Sequence, residues 1–268
     1  MAEQQQDSSN PPLQGHLALI TGATGGIGSC ISHLLASLGS SLALHYNSDE
    51  QTASALQTSL QSKYARQFGS EFKAYQADMA RYDDVRHMHQ DITSTQGAPT
   101  ILINNAGSTG GHSGVQSVGE VSIEAFERTW RINCGSAYLL TQLCVPAMEE
   151  KGWGIVIFVS SVAGITGGII GPHYASAKSA LHGMVHWLAN AYAKKGITVN
   201  GIAPALIEQT KMLPGSNEEL SKSMYCLLTI PIGRLGTPDE IAETMLWMIK
   251  TGYVTNKVIA VDGGMFPQ

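Results

Sequence analysis

Seven short, mostly apolar runs separated by amphipathic helical stretches constrain this chain more than any other feature of its sequence. The runs are 17–21 (LALIT), 41–46 (SLALHY), 72–77 (FKAYQA), 100–104 (TILIN), 154–160 (GIVIFVS), 197–202 (ITVNGI) and 257–262 (KVIAVD). A strand that is apolar at successive positions must be covered on both faces, the condition of a parallel sheet. Between the runs, Ile27, Ile31, Leu34, Leu35 and Leu38 recur at helical spacing, and 49–66, 82–95, 122–150, 173–195 and 237–250 are patterned alike. Thr237-Pro238-Asp239-Glu240 has the residues of a capping box with proline at the first helical position, so a helix starts there. The alternation predicts an α/β fold: one domain with a doubly wound parallel seven-stranded sheet and helices on both faces.

Residues 1–13, polar with two prolines, read as a disordered tail, and 14–268 as the domain, with no internal repeat or linker dividing it. Two irregular stretches, 108–121 and 204–236, follow strands and are therefore expected at the carboxyl edge of the sheet, where such folds bind ligands. A net charge of −5 argues against nucleic acid as a partner, since nothing would neutralise a row of phosphates. No apolar run reaches the roughly 18 residues of a membrane span. Cys30, Cys134, Cys144 and Cys226 lie far apart with no CxxC pair and read as reduced thiols of a cytoplasmic protein.

Directly after the first apolar run comes Thr21-Gly22-Ala23-Thr24-Gly25-Gly26-Ile27-Gly28, opening the first helix. Such a loop lets backbone approach a pyrophosphate without Cβ atoms in the way, and the helix N-terminus adds N–H groups and partial positive charge. No GK[ST] follows, so a mononucleotide loop is excluded.

The spacing TGxxxGxG resembles that of the short-chain dehydrogenase/reductase family. Asn104-Asn105-Ala106-Gly107, Ser161, Tyr174-Ala175-Ser176-Ala177-Lys178, Pro204 and Val261-Asp262-Gly263-Gly264 continue the resemblance in the family's order over residues 17–264. Within the family the chain is most similar to 3-oxoacyl-(acyl carrier protein) reductases and related carbonyl reductases. The resemblance implies a Rossmann-like fold, a nicotinamide cofactor and reduction of a ketone to a secondary alcohol. It also implies a carbonyl or alcohol as the small-molecule substrate, no metal, and a homo-oligomer, tetramer or dimer.

The sequence contains two Tyr-x-x-x-Lys motifs. Tyr174 and Lys178 fall in a helical pattern, where i and i+4 side chains are neighbours. Tyr253 and Lys257 enter the last strand, where four residues span about 13 Å and the heads cannot meet. A lysine ammonium beside Tyr174 would favour the phenolate and lower a pKa that is ordinarily near 10. By resemblance, Tyr174 is the acid–base group, Lys178 also bonds the nicotinamide ribose, Ser161 holds the substrate oxygen, and Asn133 kinks its helix and anchors a proton-relay water. Taken singly these residues have plain structural readings: a serine at 160 or 161 can cap a strand, and a tyrosine can be a buried aromatic. A dinucleotide-binding regulator without turnover, or a non-redox acid–base enzyme, stays open on the residues alone.

The resemblance also assigns a cofactor set: Gly22, Thr24, Gly25, Gly26, Ile27 and Gly28 at the phosphates, Asp78 and Met79 at the adenine, and Asn105, Ala106 and Gly107 along the fourth strand's end. Pro204, Ile207 and Thr210 complete it at the nicotinamide. Asp78 has a second reading, as the cap of the helix that follows. NAD-selective members place an acid at the end of the second strand. Here that position falls on Tyr46, followed by Asn47 and Ser48, while Asp49 starts the next helix. With no carboxylate there to repel a 2′-phosphate, NADP(H) is favoured, with NAD(H) as the alternative. His182 and His186 stand i, i+4 but lack the glutamate between them and a third ligand, so packing is expected of them. The resemblance further implies that the long helices 122–150 and 173–195 pair between subunits, with Ala175, Ala177, Ala180 and Gly183 permitting the close approach.

Overall fold

The computed structural model describes residues 12–210, 212 and 230–266. Seven strands form one sheet: β1 Leu17–Ile20, β2 Ser41–Tyr46, β3 Phe72–Gln76, β4 Ile101–Asn104, β5 Gly154–Val159, β6 Ile197–Pro204 and β7 Val258–Val261. Their order is β3-β2-β1-β4-β5-β6-β7, and every pair is parallel. The chain thus winds outward from β1 to β3, returns, and winds the other way from β4. The reversal between β1 and β4 opens a crevice at the carboxyl ends of these two strands.

Along each strand, alternate residues point to opposite faces. Ala18 and Ile20, Leu42 and Leu44, and Ile155 and Ile157 form one core layer with Ile31 and Leu35 of α1 (Gly26–Ser37). Leu56 of α2 (Glu50–Leu60) joins this layer. Leu17, Leu19, Ala43, Val156 and Phe158 form the other layer. It is closed by Val85 and Met88 of α3 (Tyr82–Thr95). After α4 (Ile123–Trp130), the helix α5 (Ser136–Lys151) adds Leu140 and Met148, and α6 (Pro172–Tyr192) adds Leu181 and Val185. The first layer is completed by Ile241 and Met245 of α7 (Pro238–Lys250). Trimming one of these buried leucines to alanine would cost about 2–5 kcal/mol.

The capping box at Thr237 and Glu240 forms as expected, and Arg234 pairs with the same glutamate. Three local expectations change. Leu13, assigned to the tail, is buried, and its N–H donates to the Leu38 carbonyl at 3.0 Å, because an apolar side chain beside the α1–β2 turn gains more by packing than by solvation. The rest of the expected tail, 1–11, lies outside the described residues. Tyr253 is fully exposed in the turn before β7, not in the strand, since pairing with β6 begins only at Val258. Ala175 and Ala177 are buried inside the chain, and the outward face of α6 presents Gly183 and Trp187. A 21-residue helix covering a sheet turns its small residues inward where backbones come closest.

Candidate active site

The glycine loop crosses the crevice. Gly22 has a left-handed φ of +63°, and a Cβ on it would lie 3.1 Å from Ala106 Cα. A Cβ on Gly28 would lie 2.2 Å from the Gly22 carbonyl oxygen, so neither position admits a side chain. From Gly26, α1 begins with no side-chain cap and no acidic residue in its first turn, leaving its first amides directed into the cleft. Asn105 closes the loop from the β4 side, its Nδ2 donating to the carbonyls of Thr21 (2.9 Å) and Gly22 (3.1 Å).

These elements wall a cleft of about 1400 Å³ running from the end of β2 to the end of β6. Gly22, Thr24, Gly25, Gly26, Ile27, Gly28, Asn47, Ser48, Asp78, Met79, Asn105, Ala106, Gly107, Ser161, Tyr174, Lys178, Pro204, Ile207 and Thr210 all line it. Tyr46 does not; the pleat turns its neighbour His45 inward instead. Asp49 lines the cleft and caps α2, accepting from Thr52 N–H at 3.1 Å. Asp78 is not the cap of α3, which begins after Arg81. Its carboxylate instead accepts from Ala80 N–H at 2.9 Å and Arg128 Nη2 at 3.2 Å. Burial alone would raise its pKa, but these donors outweigh it and hold the carboxyl below its ordinary value.

On the other side of the cleft, Asn133 sits in a π-helical turn, Arg131–Gly135, between α4 and α5. Its Nδ2 donates to the Thr129 carbonyl (2.9 Å) and the Ser108 carbonyl (2.7 Å), and its Oδ1 accepts from Ser108 N–H (3.1 Å). It is buried behind the cleft wall and fixes the start of the 108–117 loop. Of the two serines ending β5, Ser160 is buried and engaged with the Lys178 carbonyl (2.9 Å) and His182 Nε2 (2.8 Å). Ser161 faces the cleft beside Tyr174.

Tyr174 and Lys178 stand one turn apart on α6, 4% and 2% exposed. Lys178 Nζ donates to the Val159 carbonyl at 2.7 Å and lies 5.7 Å from the centre of the Tyr174 ring. The expected lowering of the tyrosine pKa is not what this arrangement produces. Burial pushes the Tyr174 phenol up to about 12, opposed only by a hydrogen bond from Ser161. Burial likewise brings Lys178 down to about 8, opposed by the negative charge of Cys134 when that side chain is ionised. The ammonium is directed at a backbone carbonyl, and both heads are desolvated, which disfavours their charged forms.

The residues fit a dinucleotide. A side chain at Gly107 would press within 2.9 Å of Asn133 Oδ1 and 3.2 Å of Lys178 Nζ, so the glycine leaves open a cradle that a Cβ would fill. The loop after β6 lies over the glycine loop, with Gln209 O only 2.6 Å from where a Gly26 Cβ would stand. Thr210 Oγ1 donates to the Ile207 carbonyl at 2.9 Å. The remainder of the expected covering region, 211 and 213–229, lies outside the described residues, as does Cys226. Among the described residues, no group of three or more His, Cys, Asp or Glu could hold a metal ion. His182 is engaged with Ser160, and His186 Nδ1 lies 2.6 Å from Asn256 Oδ1.

Sequence reading missed His45, Arg128, Ile132, Met265 and Phe266, all of which line the cleft. Only the alternation along β2, which puts position 45 on the face of Ala43, could have signalled His45.

The family model for short chain dehydrogenases matches residues 16–221. An uncharacterized oxidoreductase of Bacillus subtilis is 34% identical over 92% of this chain and 97% of its own length. The 3-oxoacyl-[acyl-carrier-protein] reductase of Aquifex aeolicus is 32% identical over 95% and 98%. The L-rhamnose 1-dehydrogenase (NADP(+)) of Thermoplasma acidophilum is 32% identical over 94% and 97%. With a parallel sheet in the order 3-2-1-4-5-6-7, a glycine loop at its switch point and this family match, the chain belongs to the short-chain dehydrogenase/reductase family and is an NAD(P)-dependent oxidoreductase.

Proposed function

We propose that this oxidoreductase reduces a ketone to a secondary alcohol using NADP(H), with Tyr174 as the proton donor. The observation that carries the reading is that Ser161, Tyr174 and Lys178 open onto the same cleft as the glycine loop. When bound, the nicotinamide supplies the hydride. Tyr174, kept protonated at neutral pH by its burial, gives its phenolic proton to the carbonyl oxygen. The Ser161 hydroxyl donates to the same oxygen and stabilises the charge developing there. Lys178 holds its ammonium near the phenolate left behind, where low dielectric strengthens the attraction. Asn133 positions the loop that borders the substrate.

The preference for NADP(H) rests on Asn47 and Ser48 at the end of β2, which can donate to a phosphate, and on Asp49 serving as a helix cap. The Thermoplasma relative is named for NADP(+). Because similarly distant relatives are named for an acyl-carrier thioester and for a sugar, the substrate is argued only as a carbonyl compound, with 3-oxoacyl thioesters first to be tested. We further place the enzyme in the cytoplasm as a homo-oligomer, tetramer or dimer. Tyr138 on α5 and Trp187 on α6, 55% and 66% exposed, would be covered in that assembly. Light scattering tests the assembly, and a single 28.5 kDa species at micromolar concentration refutes it.

The function is tested by a carbonyl panel (3-oxoacyl thioesters, quinones, steroids, diketones) with NADPH and NADH, following loss of reduced-nicotinamide absorbance. Turnover with at least one ketone is expected. Tight dinucleotide binding with no turnover across the panel would instead make the chain a cofactor-binding regulator.

A further inference from the structure

The buried imidazole of His45 has no assigned role in the reaction, yet it touches two parts of the cleft at once. His45 is 2% exposed at the penultimate position of β2. Its Nδ1 lies 2.9 Å from Gly22 N, and its Nε2 lies 3.0 Å from the Ala77 carbonyl oxygen. A backbone N–H can only donate and a carbonyl can only accept, so the two partners fix one tautomer: Nδ1 accepts from Gly22 and Nε2–H donates to Ala77. The backbone repeats the link, Ala23 N–H donating to the His45 carbonyl (2.9 Å) and Ala77 N–H to the Tyr46 carbonyl (3.1 Å).

Gly22 is the first glycine of the loop, where a Cβ would press on Ala106, and Ala77 immediately precedes Asp78. We propose that His45 is a positioning residue for the dinucleotide, clasping the phosphate loop to the β3 turn so that the diphosphate and adenine ends of the cleft keep a fixed separation. The clasp requires a neutral ring with a donor and an acceptor on opposite edges. Burial enforces neutrality by pushing the imidazole down to about 4, partly opposed by the Ala77 carbonyl and the Asp78 carboxylate. Losing the imidazole would leave a part-buried N–H and a buried carbonyl without partners, which loosens the loop rather than altering the reacting groups.

The inference rests on the dinucleotide reading above, and the test separates the two. Dissociation constants for NADPH, NADH and ADP-ribose are measured by fluorescence and calorimetric titration on the wild type, His45→Leu and His45→Gln. The clasp predicts that His45→Leu weakens all three ligands by about tenfold or more, equally, because they share the diphosphate. At saturating cofactor, kcat should change by less than about threefold, and His45→Gln, which keeps an acceptor and a donor, should regain much of the affinity. Affinities within about twofold of wild type in folded His45→Leu overturn the proposal. Should that variant not fold, long-range ¹H–¹⁵N spectra of the wild type decide: the Nε2–H tautomer supports the clasp and an Nδ1–H tautomer overturns it. A wild type that binds no dinucleotide sinks the functional reading, and the same spectra still settle the clasp.

Discussion

The two ends of the cleft are built by opposite means. At the β1–β2 end, function depends on atoms that are missing: Gly22 and Gly28 sit where a Cβ would strike backbone at 3.1 and 2.2 Å. At the β5–α6 end the proposed reaction depends on side-chain heads that are present but desolvated, Tyr174 and Lys178 at 4% and 2% exposure. The first end is set by close approach of backbone and tolerates no added volume. On the proposed mechanism, the second is set by protonation state and should tolerate no removed head group. A substitution of the same size should therefore damage binding at one end and chemistry at the other.

The sharpest way to break that division is Tyr174→Phe. Turnover should fall by about a hundredfold to ten-thousandfold with cofactor affinity nearly unchanged, because only a proton donor is lost. A mutant turning over at near wild-type rate would remove Tyr174 from the chemistry. Lys178→Ala should reduce both turnover and cofactor affinity, and an unchanged dissociation constant would contradict the ribose contact that the family resemblance implies for it.

The next effect is on stability. His45 has a folded pKa of about 4 against an ordinary 6.5, so between these values the unfolded chain binds the extra proton and stability falls as pH falls. The loss is roughly 3 kcal/mol across the window, fully regained above pH 6.5. His16, His33, His89 and His182 are also depressed and add to the slope. Urea unfolding of wild type and His45→Gln at pH 7 and at pH 4.5 isolates the one histidine; parallel losses in both would refute its share.

Gly28→Ala tests the glycine end directly. Forcing a methyl against Gly22 O should cost about 1–3 kcal/mol, appearing as tens-fold weaker dinucleotide binding with kcat at saturation largely kept. A collapse of kcat at saturating cofactor would show that the two ends are not separable. The smallest effect is cofactor choice. A kcat/KM ratio favouring NADPH over NADH by about tenfold is expected from hydrogen bonds at Asn47 and Ser48 alone, and a clear preference for NADH would refute it.

The fold was legible because most strands are apolar at both alternate positions and most helices carry one apolar face, which is local information. The glycine loop and the Tyr174–Lys178 spacing were legible for the same reason. What escaped was non-local: Arg128 meets Asp78 across 50 residues, and His45 meets Ala77 only through the β2–β3 register. The direction of the Tyr174 shift escaped because burial is a property of the packed molecule, whereas i, i+4 proximity to Lys178 is a property of the helix. Ala175 and Ala177 show the same limit, since small residues on a helix do not announce which neighbour they admit.

The π-turn at Arg131–Gly135 has a consequence for phase. Each residue of an α-helix advances the azimuth by about 100°, and a turn that takes in one residue more resets that count. The helices before and after it therefore point their apolar stripes by separate clocks: α4 buries only Thr129, while α5 buries Leu139, Leu140, Cys144, Val145 and Met148. Deleting one residue from 131–135 would merge the two clocks into one. Because the wide turn already absorbs the extra residue, both helices would keep their directions against the sheet, and what would be lost is the widened turn that sets Asn133 against Ser108.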